Sequence, residues 1–166
     1  MNPIIETEKV SLCCPKFNPA IWDGKTIVFK DKLFIKKTLP QFLHIPLPGT
    51  IGRMMTKVSV AIETAGAKPS DQEFLWLAHD PSPWKGEHFI HITHEVSGLD
   101  NVKLSGTFMT KVFDGPYSNV PKWIKEMDQY LAGLGKSAKK YYLYYTTCPK
   151  CAKLYGHNYV VVFTQV

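Results

Sequence analysis

The chain has 166 residues, 45% of them hydrophobic, enough to bury a substantial core as one domain or two closely packed halves. No apolar run approaches the ~18 to 20 residues a membrane span needs, and residues 1–12 carry a proline and charges where a signal peptide has its apolar stretch, so no membrane partner and a cytoplasmic location are expected. The net charge is +6, but 19 of the 20 basic residues are scattered lysines and Arg53 is the one arginine, a pattern of a solvated surface rather than a nucleic-acid interface.

In chain order, residues 1–30 read as an arm whose stretch from Cys13 to Trp22, with Phe17 and two prolines, packs as an apolar strap. Strand signals follow at Ile27 to Phe29 and Leu33 to Ile45, limited by Pro40 and Pro46. Thr50 is a candidate N-cap for a helix with apolar positions at Ile51, Met54, Met55, Val58, Ala61, Ile62 and Ala65, ending at Gly66. Phe74 to Ala78 and His88 to Glu95 read as an antiparallel pair across Asp80-Pro81-Ser82-Pro83, and Lys103 to Phe113 as the next strand. A second helix runs from Val120 through Trp123, Ile124, Met127, Tyr130, Leu131 and Leu134 to Gly135, followed by strands at Tyr141 to Thr147 and Asn158 to Thr164.

The two helical patterns match residue for residue at an offset of 69, from Ile51 and Val120 to Gly66 and Gly135. Each is followed by a strand and an X-Pro turn at an offset of 68. The expectation is therefore an α+β fold of duplicated β-α-β-β units, about 31–97 and 101–166, in a single domain spanning 31–166. Its antiparallel sheet has about eight strands, and two long helices pack on one face.

This duplication, with Phe113-Asp114-Gly115-Pro116-Tyr117 before the second helix and Tyr144-Tyr145-Thr146-Thr147 after it, resembles the gyrase-inhibitor-like (GyrI-like) small-molecule-binding family. That family is related in fold to SOUL haem-binding proteins and to effector-binding domains of AraC- and MerR-type regulators. The resemblance covers roughly residues 34–166. It implies a cleft for small hydrophobic or cationic molecules, with some relatives acting as ligand sensors and others as hydrolases. Relatives often carry a glutamate in the strand matching Tyr142 to Tyr145; here no register supplies an acid. A stand-alone binder of a small hydrophobic or aromatic molecule is the expected function. A hydrolase of the same fold and a protein-interaction module are the alternatives.

Four aromatic residues share strand positions at the offset of 68, Phe74 with Tyr142 and Trp76 with Tyr144. On that parity they line one face as a ligand site while Leu75, Leu77 and Leu143 face the helices, the competing reading being ordinary core. Catalytic candidates are Tyr144, His91 and Glu95, the last two as an acid–base pair; no nucleophile elbow or phosphate loop is present. Cys148-Pro149-Lys150-Cys151 has the spacing of half a zinc ribbon, and Cys13 and Cys14, with His157 as a substitute, could complete it. Reduced thiols or a reversible disulfide are the other readings; beyond a structural zinc no cofactor is expected.

Overall fold

Strands with alternating apolar residues dominate the chain. The computed structural model describes residues 14–166, so the arm up to Cys13 lies outside the described residues. Among the described residues seven strands form: β1 (Lys25–Phe42), β2 (Ile45–Pro46), β3 (Trp76–Ser82), β4 (Lys85–His91), β5 (Asn101–Asp114), β6 (Lys140–Tyr145) and β7 (Tyr159–Gln165). The helices are α1 (Thr50–Thr64), α2 (Val120–Gly133) and a short α3 (Pro149–Tyr155). Strands run in the order β2-β1-β4-β3-β6-β7-β5, and β1 also pairs with β5. Six strands thus close into an antiparallel barrel, with β2 folded back as a hairpin on the end of β1.

Where one antiparallel sheet of about eight strands was expected, the described residues give an antiparallel sheet of seven, six of them closed into a barrel, and β1 is the cause of closure. The two segments read from sequence as separate strands are one bent strand of 18 residues. It begins at Lys25, inside the stretch read as an arm. Its first part pairs with β5 from Lys25 opposite Thr110 to Phe29 opposite Gly106, and the register then shifts before Lys32 meets Leu104. From Phe34 to Pro40 the same strand also pairs with β4. The shift is a bulge at Asp31, where φ is +47°. The Ser105 hydroxyl accepts from the Asp31 N–H at 2.8 Å and donates to its carboxylate at 3.1 Å. A bulge held this way bends its strand and lets one strand serve two neighbours.

Alternation then sorts the side chains. Phe29, Phe34, Leu75, Leu77, Phe89, Phe108, Tyr142, Val161 and Phe163 fill the barrel interior. The opposite parity faces the helices: Met54, Val58 and Ile62 of α1 pack on Ile35, Ile90 and Ile92, and Trp123, Met127 and Leu131 of α2 pack on Met109, Phe113, Val160 and Val162. Both helices therefore lie on the outer wall of a barrel. Strand β7 is buried on both sides, which is why residues 160–163 are uniformly apolar.

Local punctuation is mostly as the sequence implies. Gly66 and Gly135 take left-handed conformations just past α1 and α2, at φ +65° and +68°. Thr50 is not the cap: Gly49 precedes the helix, and the Thr50 hydroxyl donates to the Leu47 carbonyl at 2.7 Å. Where an X-Pro turn was expected after β6, Cys148-Pro149 opens α3, whose first turn tolerates a proline.

Residues 14–24 lie across one end of the barrel. Phe17 meets Tyr144 and Tyr159, and Trp22 meets Tyr144 and Phe163, with ring centroids 5.6 to 6.3 Å apart. The Gly24 N–H donates to the Thr110 carbonyl at 3.0 Å, and the Val112 N–H to the Asp23 carboxylate at 3.0 Å.

Phe34 is fully buried in the segment that pairs with both β4 and β5. Phe34→Ala should cost about 3 to 5 kcal/mol in chemical denaturation, against no more than about 0.5 kcal/mol for Val60→Ala on the exposed side of α1.

Candidate functional site

The barrel interior is not purely apolar. Two positions along from inward-facing Phe34, Phe89, Leu77 and Tyr142, the same parity brings in Lys36, Glu87, His79 and Lys140. These four gather at the end away from the strap. The Lys36 ammonium donates to the Glu87 carboxylate at 2.8 Å, and His79 stands directly opposite Glu87 across β3 and β4. The His79 ring lies 5.6 Å from that of Tyr142, and the Lys140 ammonium sits 5.1 Å above the Tyr142 ring. Phe89 and Phe108 close the floor against Tyr142 at 5.6 and 6.0 Å.

Electrostatics fixes the charge states. Burial works to raise the Glu87 carboxyl, but the bonded Lys36 ammonium, with Lys140 and His79 nearby, holds it below the usual carboxylate value. Lys36 is raised in return, chiefly by its bond to Glu87. Burial lowers His79, and Lys140 adds to the effect. Its Nδ1 is 2.9 Å from the Tyr141 carbonyl, so in the neutral ring Nδ1 carries the proton and Nε2 keeps its lone pair. The mouth thus combines a neutral imidazole, an ionised carboxylate and two ammonium groups over an aromatic floor.

The four aromatics grouped by the sequence do not share a face. Tyr142 and Tyr144 point into the barrel, but Phe74 and Trp76 pack under α1 on its outer wall. The physical reason is register: Leu77 lies opposite Tyr144 and Ala78 opposite Leu143, so odd positions of β3 share a side with even positions of β6. The Trp76 indole donates to His88 Nδ1 at 3.0 Å. Tyr144 sits beneath the strap, and burial together with the charge of Cys14 pushes its hydroxyl up to about 12.

His91 and Glu95 are likewise apart. His91 is buried beside Phe34, with Nδ1 2.8 Å from the Glu73 carbonyl, while Glu95 is exposed beyond the end of β4. His157 is held by Asp114, Nδ1 to carboxylate 2.7 Å, and takes no part in the cysteine group. Cys14, Cys148 and Cys151 do come together, their sulfurs all within 4.8 Å of one another; Cys13 lies outside the described residues. Lys36, Glu87 and Lys140 escaped the sequence reading. Their signal was a charged residue on the inward parity of a strand, two positions from a core aromatic.

A groove of about 410 Å³ lies outside the barrel between α1 and β1, lined by Leu39, Met54, Val58 and Leu99 with Lys37, Arg53 and Lys57 at its rim. It contains none of the ligand-binding, catalytic or metal-binding candidates expected from sequence. None of the helices among the described residues is long and apolar enough to cross a membrane.

A family model described as bacterial hydrolase matches residues 4–166. The chain belongs to the bacterial hydrolase family. No curated relative matches the sequence. Among solved structures, an uncharacterized conserved protein from Listeria innocua is 11% identical with a TM-score of 0.58, covering 86% of this chain and 91% of its own. A hydrolase from Listeria innocua is 12% identical, TM-score 0.57, with the same coverage. A structure of SAV2435 bound to tetraphenylphosphonium is 12% identical, TM-score 0.54, covering 87% of this chain and 93% of its own. At these identities the likeness is one of fold, so within the bacterial hydrolase family the chemistry must be argued from this chain's own residues.

Burial holds His79, His88 and His91 all below the ordinary histidine value. In the unfolded chain they titrate near about 6.5, so below that pH the unfolded state binds more protons than the folded one. Their contribution to stability is complete above that value and is lost as pH falls through it. The urea midpoint should be lower at about pH 5.5 than at about pH 8, and His88→Gln, if it folds, should flatten the difference.

Proposed function

We propose that this protein binds a small, partly apolar molecule at the polar mouth of the barrel and hydrolyses it. The observation that carries the reading is the His79 tautomer: an imidazole kept neutral by burial, its Nδ1 proton held by the Tyr141 carbonyl, beside an ionised carboxylate and two ammonium groups. Nε2 takes a proton from water as the oxygen adds to an electrophilic carbon. The Lys36 and Lys140 ammonium groups stabilise the developing oxyanion, and the imidazolium then returns its proton to the leaving group. Tyr142, Phe89 and Phe108 hold the apolar part of the substrate. Membership of the bacterial hydrolase family supports the reaction class.

Binding without turnover is the second reading, and the SAV2435 complex with a lipophilic cation favours it at the level of fold. Two ammonium groups against one carboxylate make this mouth a poor site for a cation, so neutral or anionic acyl compounds fit better. We also take the chain as GyrI-like, its halves being copies of one unit. The chain order β1-α1-β3-β4 followed by β5-α2-β6-β7 supports this. So do the buried triplets Met54, Val58, Ile62 and Trp123, Met127, Leu131, each pair 69 apart (123 − 54, 127 − 58, 131 − 62). The expected compartment is the cytoplasm.

A panel of short aryl and alkyl esters, lactones and amides should contain a compound the protein turns over. His79→Gln should lower kcat/KM about 100-fold or more, and Glu87→Gln should lower it less, while exposed His94→Gln leaves it unchanged. Turnover should fall on the acid side of neutrality as His79 becomes protonated. Thermal stabilisation by a ligand with no turnover of the panel would favour the binder, and full activity in His79→Gln would refute the assigned base.

A further inference from the structure

The cysteine group lies at the other end of the barrel and takes no part in the chemistry assigned to the mouth. Cys14 comes from the strap, while Cys148 caps α3 and Cys151 sits in its first turn. In the first half, β3 and β4 are joined by the short turn at Pro83 and Trp84; in the second, β6 and β7 are separated by the whole of α3. The added segment brings two cysteines to a third from 134 residues earlier in the chain.

We propose that Cys14, Cys148 and Cys151 bind one zinc ion as thiolates, and that this metal clamps the strap over the aromatic end of the barrel. Zn–S bonds of about 2.3 Å place tetrahedral sulfurs about 3.8 Å apart. The three sulfurs, all within 4.8 Å of one another, reach that spacing by small side-chain rotations. Backbone donors already serve two of them: the Cys148 N–H points at Cys14 Sγ at 3.3 Å, and the Cys151 N–H at Cys148 Sγ at 3.5 Å. Such N–H···S contacts spread the charge of a metal-bound thiolate. Cys151 is fully buried, which shields the bonds from exchange. Three thiolates and Zn²⁺ carry a net charge of −1, and Lys16, Lys150 and Lys153 flank the ligands in sequence. The fourth tetrahedral position belongs to a ligand outside these three.

The mechanical consequence follows from the strap's contacts. The Tyr155 hydroxyl of α3 donates to the Cys14 carbonyl at 2.7 Å, and Phe17 and Trp22, next along, cover Tyr144, Tyr159 and Phe163. A metal joining Cys14 to α3 therefore fixes the plug that closes this end.

The full chain, purified without chelators and under reducing conditions, should carry close to one zinc per molecule by elemental analysis. Titrating the thiols with a mercurial should release that zinc into a chromogenic chelator. Cobalt exchanged for zinc should give the intense visible absorption of tetrahedral thiolate coordination, and Cys14→Ser, Cys148→Ser and Cys151→Ser should each weaken metal retention at least tenfold. Because a ligand variant can misfold, chelation of the wild type is the companion measurement. It should lower Tm by about 5 °C or more, reversibly on adding zinc, and raise acrylamide quenching of the fluorescence that Trp22→Phe removes. A metal-free preparation that binds neither zinc nor cobalt, a disulfide among the three cysteines in the intact mass, or zinc retained in Cys14→Ser would overturn the site. Unchanged Trp22 quenching on chelation would overturn the clamp.

Discussion

The bend at Asp31 is the constraint on which the rest of the molecule depends. One strand pairs with β5 along its first part and with β4 along its second, and its path turns between the two. The left-handed residue at the bend is an aspartate, and the Ser105 side chain meets its backbone N–H and its carboxylate. With that bend the sheet closes and has an inside. Gly106, opposite Phe29, belongs to the same device: its backbone at φ +145° passes so close to Gln165 that a Cβ would lie 2.8 Å from the amide nitrogen.

Closure gives the polar groups their character. Lys36, Glu87, His79 and Lys140 would be ordinary surface residues on an open sheet, exposed to water and to salt. Turned toward the axis of a barrel and set on an aromatic floor, they interact at close range with less screening, and the imidazole loses its charge. The opposite end is treated differently. There the chain's own strap supplies Phe17 and Trp22, so one end carries charged groups while the other is apolar and covered.

Helices were the most legible part of the sequence, because three-four spacing is intrinsic to the element and needs no partner. The buried triplets of α1 and α2 fall where the pattern put them. Strand faces were harder, since alternation gives two sets of residues but not which set points inward relative to a neighbouring strand. That depends on register, and register depends on loops. A one-residue difference between assumed and actual alignment of β3 on β6 was enough to separate Phe74 and Trp76 from Tyr142 and Tyr144. Closure itself left no mark, because the bulge sits in a Lys-Asp-Lys stretch with no glycine to announce it. The cysteines were visible as a spaced pair and an adjacent pair, but their meeting is set by the path of the strap, which no local pattern encodes.

The two halves of the barrel do not join equally on their two sides. Where β1 meets β5 the pairing is long, running from Lys25 to Ile35, but β3 meets β6 only through Leu77 opposite Tyr144 and Ala78 opposite Leu143. The cylinder therefore has a parting line. Each half keeps its own helix and its own strand pairs on either side of that line, while the shared barrel core and the His79 contacts to Tyr141 and Tyr142 bridge it. The seam of shortest pairing thus runs beside His79 and Tyr142, whose rings face each other across it at 5.6 Å.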